Sequence, residues 1–162
     1  QAYYVSDLEG ACAKWYELYG AGPFIVAPHH RTKKFQYRGT DQEADVSYAF
    51  GYLGDMQIQF ITQHCDTPSI YRDMYQQGES GFHHSGCLVN DFAKARQRML
   101  DLGFENACEL WADGVNAAYF DNRINCQITW GKRSRNQIEE DDDHEVMSRE
   151  VAGNFAAVIS SR

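Results

Sequence analysis

The sequence has 162 residues, a length that suits one domain or two small modules sharing a core. Its apolar fraction of 43% is ordinary for a globular protein, and its formal net charge of −8 argues against nucleic acid or an anionic membrane as a partner. No apolar run approaches the roughly 20 residues that a membrane-spanning helix needs.

The first 20 residues predict a strand, a cap and a helix. The strand covers residues 2–5, and the helix covers 8–19 and ends at Gly20. Ser6 followed by Glu9 three residues later fits a capping box at the start of this helix.

Four further strands are expected in the first module. Gln57 and Gln59 should share one face of the last strand and Ile58 and Phe60 the other, because side chains alternate along a strand. A basic surface loop is expected to contain the two histidines at 29 and 30. The expected strands cover residues 24–26, 35–38, 46–53 and 56–62.

The strand, cap and helix recur from residue 81 onward. Two histidines precede an apolar strand over 86–89, a cap follows, and a helix from Phe92 is closed by Gly103. Placing Asp7 on Asp91 gives an offset of 91 − 7 = 84 residues, about half of the chain. This match of cap, apolar stripe and closing glycine indicates an internal duplication. Three strands should complete the second module, at about 107–111, 117–120 and 126–130.

Two segments lie outside the duplicated unit. A linker over 65–80 is expected to form one or two helical turns around 70–75. After an acidic run at 139–143, the spacing of apolar residues predicts a C-terminal helix packed on the body or against a second subunit. The apolar residues of this tail are Val146, Val151, Phe155 and Val158.

The cysteines favour a reduced, cytoplasmic protein. They are odd in number and widely spaced, and none forms a Cys-x-x-Cys pair. Inside a helix or strand, a reduced cysteine behaves as a small apolar residue. The five are Cys12, Cys65, Cys87, Cys108 and Cys126.

Several motifs, in their order and spacing, resemble the glyoxalase-like branch of the vicinal oxygen chelate superfamily. This superfamily contains glyoxalase I, methylmalonyl-CoA epimerase, extradiol dioxygenases and bleomycin-resistance proteins. The motifs are Tyr4-Val5-Ser6-Asp7-Leu8, Gly20-Ala21-Gly22-Pro23-Phe24, Ile58-Gln59-Phe60-Ile61, Pro68-Ser69-Ile70-Tyr71-Arg72, and His83-His84 before an apolar strand.

The resemblance implies an α+β fold in which two tandem βαβββ modules form a cupped mixed sheet, here with an added C-terminal helix. We therefore expect a single glyoxalase-like domain over 1–162. Its parts would be a first module at about 1–64, the linker at 65–80, a second module at about 81–132, and an acidic segment and helix at 133–162.

The resemblance also implies a divalent metal (Zn, Ni, Mn, Co or Fe) held in the cup by the first and last strands of each module. The slots fall on His84 and on Gln59, where the family usually has Glu. A third slot falls near Thr129, again in place of Glu, and the slot that opens the first module lies at or before Gln1. Because none of these ligands is a carboxylate, a metal bound by His84 and Gln59 and a cup without a metal both stand as hypotheses.

Without a metal, the cup would suit a small organic ligand of moderate polarity. His84 is the candidate catalytic residue, because imidazole moves protons near neutral pH, whereas His83 should point to the opposite face and be structural. Tyr71 and Arg72 are expected either to pack the linker or to lie on the substrate side. The residues with the parity to face the cup are Gln57, Gln59, His84, Gln127 and Thr129, with the aromatic side chains of Tyr4, Tyr48 and Trp130 nearby.

Two functions follow from these residues. The first is a lyase, isomerase or epimerase that acts on a small oxygenated substrate in the cup. The second is a metal-free protein that sequesters an organic compound, as drug-resistance members of the superfamily do. A homodimer is compatible with either function, and neither nucleic acid nor a membrane is expected as a partner.

Overall fold

The structure is a computed structural model that describes residues 1–112 and 115–121, together with the backbone of 128–133 and 157–159. Within these residues the chain forms two helices and eleven strands in one mixed sheet. No helix in the described part is long and apolar enough to cross a membrane.

Helix α1 (Leu8–Tyr19) begins and ends as its sequence predicts, but its cap is a different residue. The N-cap is Asp7, whose carboxylate accepts a hydrogen bond from the N–H of Gly10. The capping box proposed for Ser6 and Glu9 is therefore wrong, and the N–H of Ser6 instead donates to the hydroxyl of Ser80. Gly20 closes the helix in the left-handed region, with φ of 70°, which glycine adopts without a Cβ clash.

Helix α2 (Phe92–Asp101) is capped in the same way. Its N-cap Asp91 accepts from the N–H of Lys94, and Gly103 follows the helix with φ of 85°. The two aspartates are those that the offset of 84 residues places on one another, so the equivalent helices are capped at equivalent positions.

Both halves of the chain contribute strands to the sheet. Those of the first half are β1 (Ala2–Tyr4), β2 (Phe24–His30), β3 (Lys34–Tyr37), β4 (Thr40–Asp41), β5 (Val46–Leu53) and β6 (Met56–Gln63). Those of the second half are β7 (Gly81–Leu88), β8 (Glu105–Ala112), β9 (Val115–Asp121) and β10 (Ile128–Arg133), and β11 (Ala157–Ile159) follows in the tail.

The order of strands shows the duplication directly. Across the sheet it is β11-β2-β5-β6-β1-β7-β10-β9-β8-β3-β4. The first half runs outward from β1 through β6, β5 and β2, and the second half runs in the matching order from β7 through β10, β9 and β8, with β3 and β4 added at the far edge. The halves meet where β1 pairs with β7 in the antiparallel sense. The predicted α+β fold of two tandem βαβββ modules is confirmed.

The registers of the two halves also correspond. In the first half β1 and β6 are parallel and Ala2 lies opposite Gln59, whereas in the second half β7 and β10 are parallel and Gly86 lies opposite Thr129. Since 86 − 2 = 84, the duplication places Ala2 on Gly86 and hence Gln59 on Thr129. These two polar residues occupy equivalent positions on the last strands of the modules.

Three apolar clusters show which way the sheet curves. Helix α1 covers one face of the first half through a cluster that includes Phe24, Ile58 and Phe60, and α2 covers the second half through a cluster around Met99 and Phe120. The opposite faces of both halves contribute to a single third cluster, here called the inner-face cluster. One cluster shared by both halves requires the sheet to curl around it. Its members include Tyr4, Tyr48, Ile61, Ala107, Leu110 and Tyr119.

Three strands of the first module differ from the prediction. Strand β2 continues as far as His30, where a basic loop was expected, and the short strand β4 lies between the expected strands at 35–38 and 46–53, where no strand was predicted. More consequentially, β3 leaves its own module and pairs with β8 at the edge of the second. Phe35 of β3 thereby enters the inner-face cluster. Alternation along 35–38 indicates a strand but does not name its partner, because pairing across modules is a tertiary property.

The predicted C-terminal helix is wrong at the tail residues that the structure describes. Ala157–Ile159 form β11, which pairs antiparallel with β2 and places Val158 opposite Ile25. Val158 and Ile159 are β-branched and suit a strand, and the free edge of β2 offers them unpaired backbone groups. The other tail residues of that prediction, Val146, Val151 and Phe155, lie outside the described residues.

Candidate functional site

The candidate site is built around a bulge at the junction of the two modules. Along the β1–β7 pair, Tyr3 lies opposite Phe82 and Ala2 lies opposite His84, so His83 is one residue more than the ladder needs. A bulge of this kind interrupts the alternation of side chains. Both imidazoles are consequently buried together, with exposed fractions of 1% for His83 and 2% for His84. The prediction that His83 points to the opposite face is therefore wrong.

A chain of hydrogen bonds assigns the tautomers of the two imidazoles. The carbonyl oxygen of Ile70 can only accept, so Nε2 of His83, 3.2 Å away, carries a proton and donates it. In the neutral ring Nδ1 of His83 is then an acceptor, and it lies 2.8 Å from Nδ1 of His84. The Nδ1–H of His84 therefore donates to His83, which leaves Nε2 of His84 with its lone pair.

Burial keeps both rings neutral. It lowers the pKa of His83 to about 4, since the imidazolium would lose its hydration. Burial, followed by the neighbouring imidazole of His83, lowers the pKa of His84 well below its usual value. A neutral His84 with a bare Nε2 is in the form that accepts a proton or binds a metal.

Three tyrosines form a second polar chain beside the histidines. The hydroxyl of Tyr71, from the linker, lies 3.0 Å from that of Tyr48 and 3.2 Å from that of Tyr119. The ring of Tyr119 lies edge-on to that of His84, with centroids 5.0 Å apart, and Tyr71 contacts His83 at 5.1 Å. Burial raises the pKa of Tyr48 and Tyr71, so both hydroxyls remain protonated donors.

The linker is fixed in place by polar side chains whose role the sequence does not reveal. Arg72 donates to the carbonyl oxygens of Gln63 and Cys65, at 3.1 and 2.9 Å, and to the hydroxyl of Tyr4 at 3.0 Å. The buried Gln63 accepts from the hydroxyl of Ser69 at 2.6 Å. These bonds hold Tyr71, which lies between Ser69 and Arg72 in the chain, inside the inner-face cluster. Of the two alternatives for Tyr71 and Arg72, packing of the linker is what the contacts show.

The residues predicted to face the cup do not all meet. Tyr48 is buried in the inner-face cluster, and Gln59 is half-buried and lies opposite both Ala2 and Phe50. Gln57 is exposed and donates to the hydroxyl of Tyr52 at 3.1 Å. Thr129 and Trp130 lie on β10, of which only the backbone is described, and Gln127 lies outside the described residues.

A cavity of about 360 Å³ is lined mainly by residues of the linker. Its wall is polar, and the guanidinium of Arg38 and the hydroxyl of Tyr37 both donate to the carboxylate of Asp73 there, at 3.0 and 2.6 Å. The side chains predicted to line the cup are absent from its described wall. The lining residues are Tyr37, Asp66, Pro68, Ser69, Arg72, Asp73 and Gln76.

The resemblance implies a metal between His84 and Gln59, but the described residues there are weak ligands. Ala2 lies opposite both Gln59 and His84, so β1 contributes only a methyl group between them. His84 offers a good nitrogen ligand and Gln59 a neutral amide oxygen, and neither brings the negative charge that offsets dehydration of a dication. These described ligands do not fit a tightly held divalent ion, and no chemical step is derived through one.

Comparison with known proteins agrees with the topology. The model of the Glyoxalase/Bleomycin resistance protein/Dioxygenase superfamily matches residues 1–120. No curated protein sequence matches the chain significantly.

Similar solved structures include a fosfomycin resistance protein, FosX, from Mesorhizobium loti, at 15% identity over 92% of this chain and 94% of that one, with a TM-score of 0.28. A glyoxalase family protein from Bacillus cereus shows 12% identity over 82% and 90%, with a TM-score of 0.32. FosX from Listeria monocytogenes, in a structure with Mn(II) and 1S,2S-dihydroxypropylphosphonic acid, shows 15% identity over 86% and 94%, with a TM-score of 0.30.

The family model covers well over half of the chain, and the duplicated order of strands is the one that the sequence motifs imply. The chain belongs to the Glyoxalase/Bleomycin resistance protein/Dioxygenase superfamily, also called the vicinal oxygen chelate superfamily.

Proposed function

We propose that this protein is an enzyme of the lyase, isomerase or epimerase type, which moves a proton on a carbon next to a carbonyl group of a small oxygenated substrate. The observation that carries the proposal is the hydrogen-bond chain from Ile70 through His83 to His84. This chain fixes one tautomer of His84 and leaves its Nε2 unprotonated, at the position where the second module begins. His84 would serve as the base.

The chain would also assist the step in which His84 takes up the proton. An imidazolium at a site this buried is costly, which is why the pKa of His84 is low. Its Nδ1–H donates to His83, whose own Nε2–H donates to Ile70, and both bonds strengthen when positive charge develops. A base that holds its proton weakly also returns it readily, as an isomerisation or epimerisation requires.

Neutral donors would stabilise the oxygen of the substrate. When a proton leaves a carbon next to a carbonyl group, negative charge develops on the carbonyl oxygen, and fixed donors at that point lower the barrier. The half-buried amide of Gln59 and the hydroxyl of Tyr119, whose ring contacts His84, are the candidates for this role among the described residues.

Metal-free binding of an organic compound is the second candidate function. It is favoured by the same neutral groups, because Nε2 of His84, the hydroxyl of Tyr119 and the amide of Gln59 suit hydrogen bonding to a polar organic molecule without any reaction. Both functions predict a small ligand at His84, and they differ in whether a carbon-bound proton exchanges.

Exchange of carbon-bound protons with D2O tests the proposal without knowledge of the substrate. The purified protein is incubated with a panel of small ketones, aldehydes and thioesters, and loss of the proton signal next to each carbonyl group is followed by NMR. We expect exchange of at least one compound, and a fall of about 100-fold or more in His84→Gln. Gln57→Ala is the control and should retain the rate, because Gln57 is exposed.

Two results would decide against the enzyme. Exchange that persists in His84→Gln would remove His84 from the reaction. Absence of exchange, combined with an increase in melting temperature when a compound is added, would support the binding function instead. Metal analysis of the same protein samples would show whether an ion copurifies and whether His84→Gln loses it.

A further inference from the structure

Three side chains that bind metals in other proteins converge at the far end of the first module. They are His29 near the end of β2, Asp45 just before β5 and His64 just after β6, and each offers one ligand atom that lies within 4.8 Å of the other two. Two imidazoles and a carboxylate are a common ligand set for divalent transition metals. Each of the three reaches solvent at least in part.

The pairing of the strands explains why residues so distant in sequence meet. The strands β2, β5 and β6 are neighbours, and His30, Val46 and Gln63 form one row across them. His29, Asp45 and His64 each adjoin a member of this row. The N–H of His64 donates to the carbonyl oxygen of Asp45 at 2.8 Å, which continues the β5–β6 pairing by one step.

A supporting hydrogen bond from Ser47 orients the imidazole of His64, whereas His29 contacts Asp45, another member of the cluster, directly. Nδ1 of His29 lies 2.8 Å from a carboxylate oxygen of Asp45, and Nε2 of His64 lies 2.7 Å from the hydroxyl of Ser47. Ser47 is 4% exposed, and its hydroxyl also accepts from the N–H of His29 at 3.0 Å. A second hydrogen bond from the other ring nitrogen is what metal-binding histidines usually have.

A simple ion pair does not account for the whole arrangement. It would explain the contact of His29 with Asp45, but not the ring of His64, which lies over that of His29 with centroids 4.6 Å apart and an interplanar angle of 33°. A cation bound by both rings would explain why the rings of His29 and His64 lie so close together. Ligand atoms of a tetrahedral zinc site lie about 3.3 Å apart, so small side-chain rotations would close the site.

We propose that His29, Asp45 and His64 bind a divalent cation of the zinc type, with water completing its coordination. The site is separate from the one at His84. Gln59 shares a row with Ala2 and His84, and the five residue-to-residue steps from Gln59 to His64 span roughly 16 Å along the strand direction. Because His64 immediately precedes the linker, a bound cation would tie β2, β5 and the start of the linker together.

Titration with Zn2+, followed by titration with Co2+, tests the proposal on the full chain. We expect one tightly bound equivalent of Zn2+ and an increase in melting temperature on binding. Replacing either imidazole, in His29→Gln or His64→Gln, should weaken binding at least ~10-fold, and Ser47→Ala should weaken it by about 10-fold through loss of the support for His64. His84→Gln is the matched control and should bind as the wild type does.

Cobalt distinguishes this site from the cysteines, of which Cys65 is a near neighbour, since its sulfur accepts from the N–H of Asp45 at 3.2 Å. Coordination by nitrogen and oxygen gives visible d–d bands without the near-ultraviolet charge-transfer band of a thiolate ligand. We expect the d–d bands alone, unchanged in Cys65→Ser. A thiolate band, binding that survives both histidine substitutions, or no binding of Zn2+ to the wild type would each overturn the proposal, whatever the outcome of the proton-exchange assay.

Discussion

The Nδ1 atoms of His83 and His84 lie 2.8 Å apart, although the two residues are neighbours in one strand. Neighbours in a regular strand point to opposite faces, and only the bulge opposite Ala2 allows these two rings to meet. His83 thus connects the candidate base to the backbone of the linker, at Ile70. The candidate site and the linker between the modules are therefore parts of one hydrogen-bonded unit.

Replacing His83 with Phe should disturb both stability and the tautomer of His84. The Nδ1–H of His84 would lose its acceptor inside the inner-face cluster, and an unsatisfied buried donor costs about 1–3 kcal/mol. Urea denaturation measures the first effect, and the imidazole nitrogen shifts of His84 measure the second. If His84 keeps its proton on Nδ1 in this variant, His83 does not set the tautomer. His83→Gln, which retains an acceptor, should restore part of the loss.

Acidification from pH 7 to pH 5 should destabilise the protein through its buried imidazoles. The pKa of His83 is about 4 in the folded state and near 6.5 in an unfolded chain, so the unfolded chain binds more protons between these values. The contribution of neutral His83 to the free energy of unfolding is complete above pH 6.5 and is lost as the pH falls toward 4. For His83 alone the free energy of unfolding should fall by about 2 kcal/mol between pH 7 and pH 5.

Chemical denaturation at several pH values measures how the free energy of unfolding changes with pH. The range from pH 7 to pH 5 avoids most carboxylate titration, and His83→Gln should show a shallower slope although it is less stable at pH 7. An equal slope in the wild type and in His83→Gln would show that the imidazole at this position does not stay neutral when folded.

Removal of one hydroxyl should show that the tyrosine chain is a connected network. In Tyr71→Phe, the hydroxyls of Tyr48 and Tyr119 lose the group that links them, and a loss of about 1–3 kcal/mol in unfolding free energy is expected. Tyr52→Phe is the matched control, since Tyr52 is an exposed tyrosine, and it should change stability by less than about 0.5 kcal/mol. Equal effects of the two substitutions would contradict a linked network at Tyr71.

The cysteines should differ widely in their rate of alkylation. Burial raises the pKa of Cys12 and of Cys108 to about 12, so almost no thiolate is present at neutral pH. At Cys65 burial acts in the same direction but is outweighed by hydrogen bonds with Thr67, Asp45 and Gln63, and its pKa is lowered. Cys87 is exposed.

Iodoacetamide at pH 7.5 with mass-spectrometric mapping measures these rates. Cys65 and Cys87 should react at least ~100-fold faster than Cys12 and Cys108. Rapid modification of Cys12 in the folded protein would mean that helix α1 does not remain packed on the sheet.

Local patterns in the sequence predict most of the regular structure. The limits of α1 and of β5 follow from apolar spacing and from turn residues such as Gly20 and Gly54, which are adjacent in the chain to what they terminate. The duplication was also detectable, because equivalent residues recur at a fixed offset. Each of these features depends on residues close together in sequence or on a repeat.

The candidate site could be predicted only in part, because its geometry depends on pairing between distant strands. The sequence pattern identifies His84, but the face of His83 depends on a bulge that exists only where β7 meets β1. The burial of Tyr71 depends on where the linker packs, and nothing within residues 65–80 states this. The meeting of His29, Asp45 and His64 requires the positions of three strand ends, which no local pattern contains.

The crossing of β3 to the edge of β8 has a consequence for how the chain could be divided. A fragment ending at residue 64 would project Lys34–Tyr37 into solvent with Phe35 unpacked, and a fragment starting at residue 81 would leave the edge of β8 unpaired where β3 covers it, from Cys108 to Trp111. Neither half is then a self-sufficient folding unit, despite the repeat. Cleavage between the modules should yield two pieces that remain associated and that reassemble when mixed, in the manner of fragment complementation.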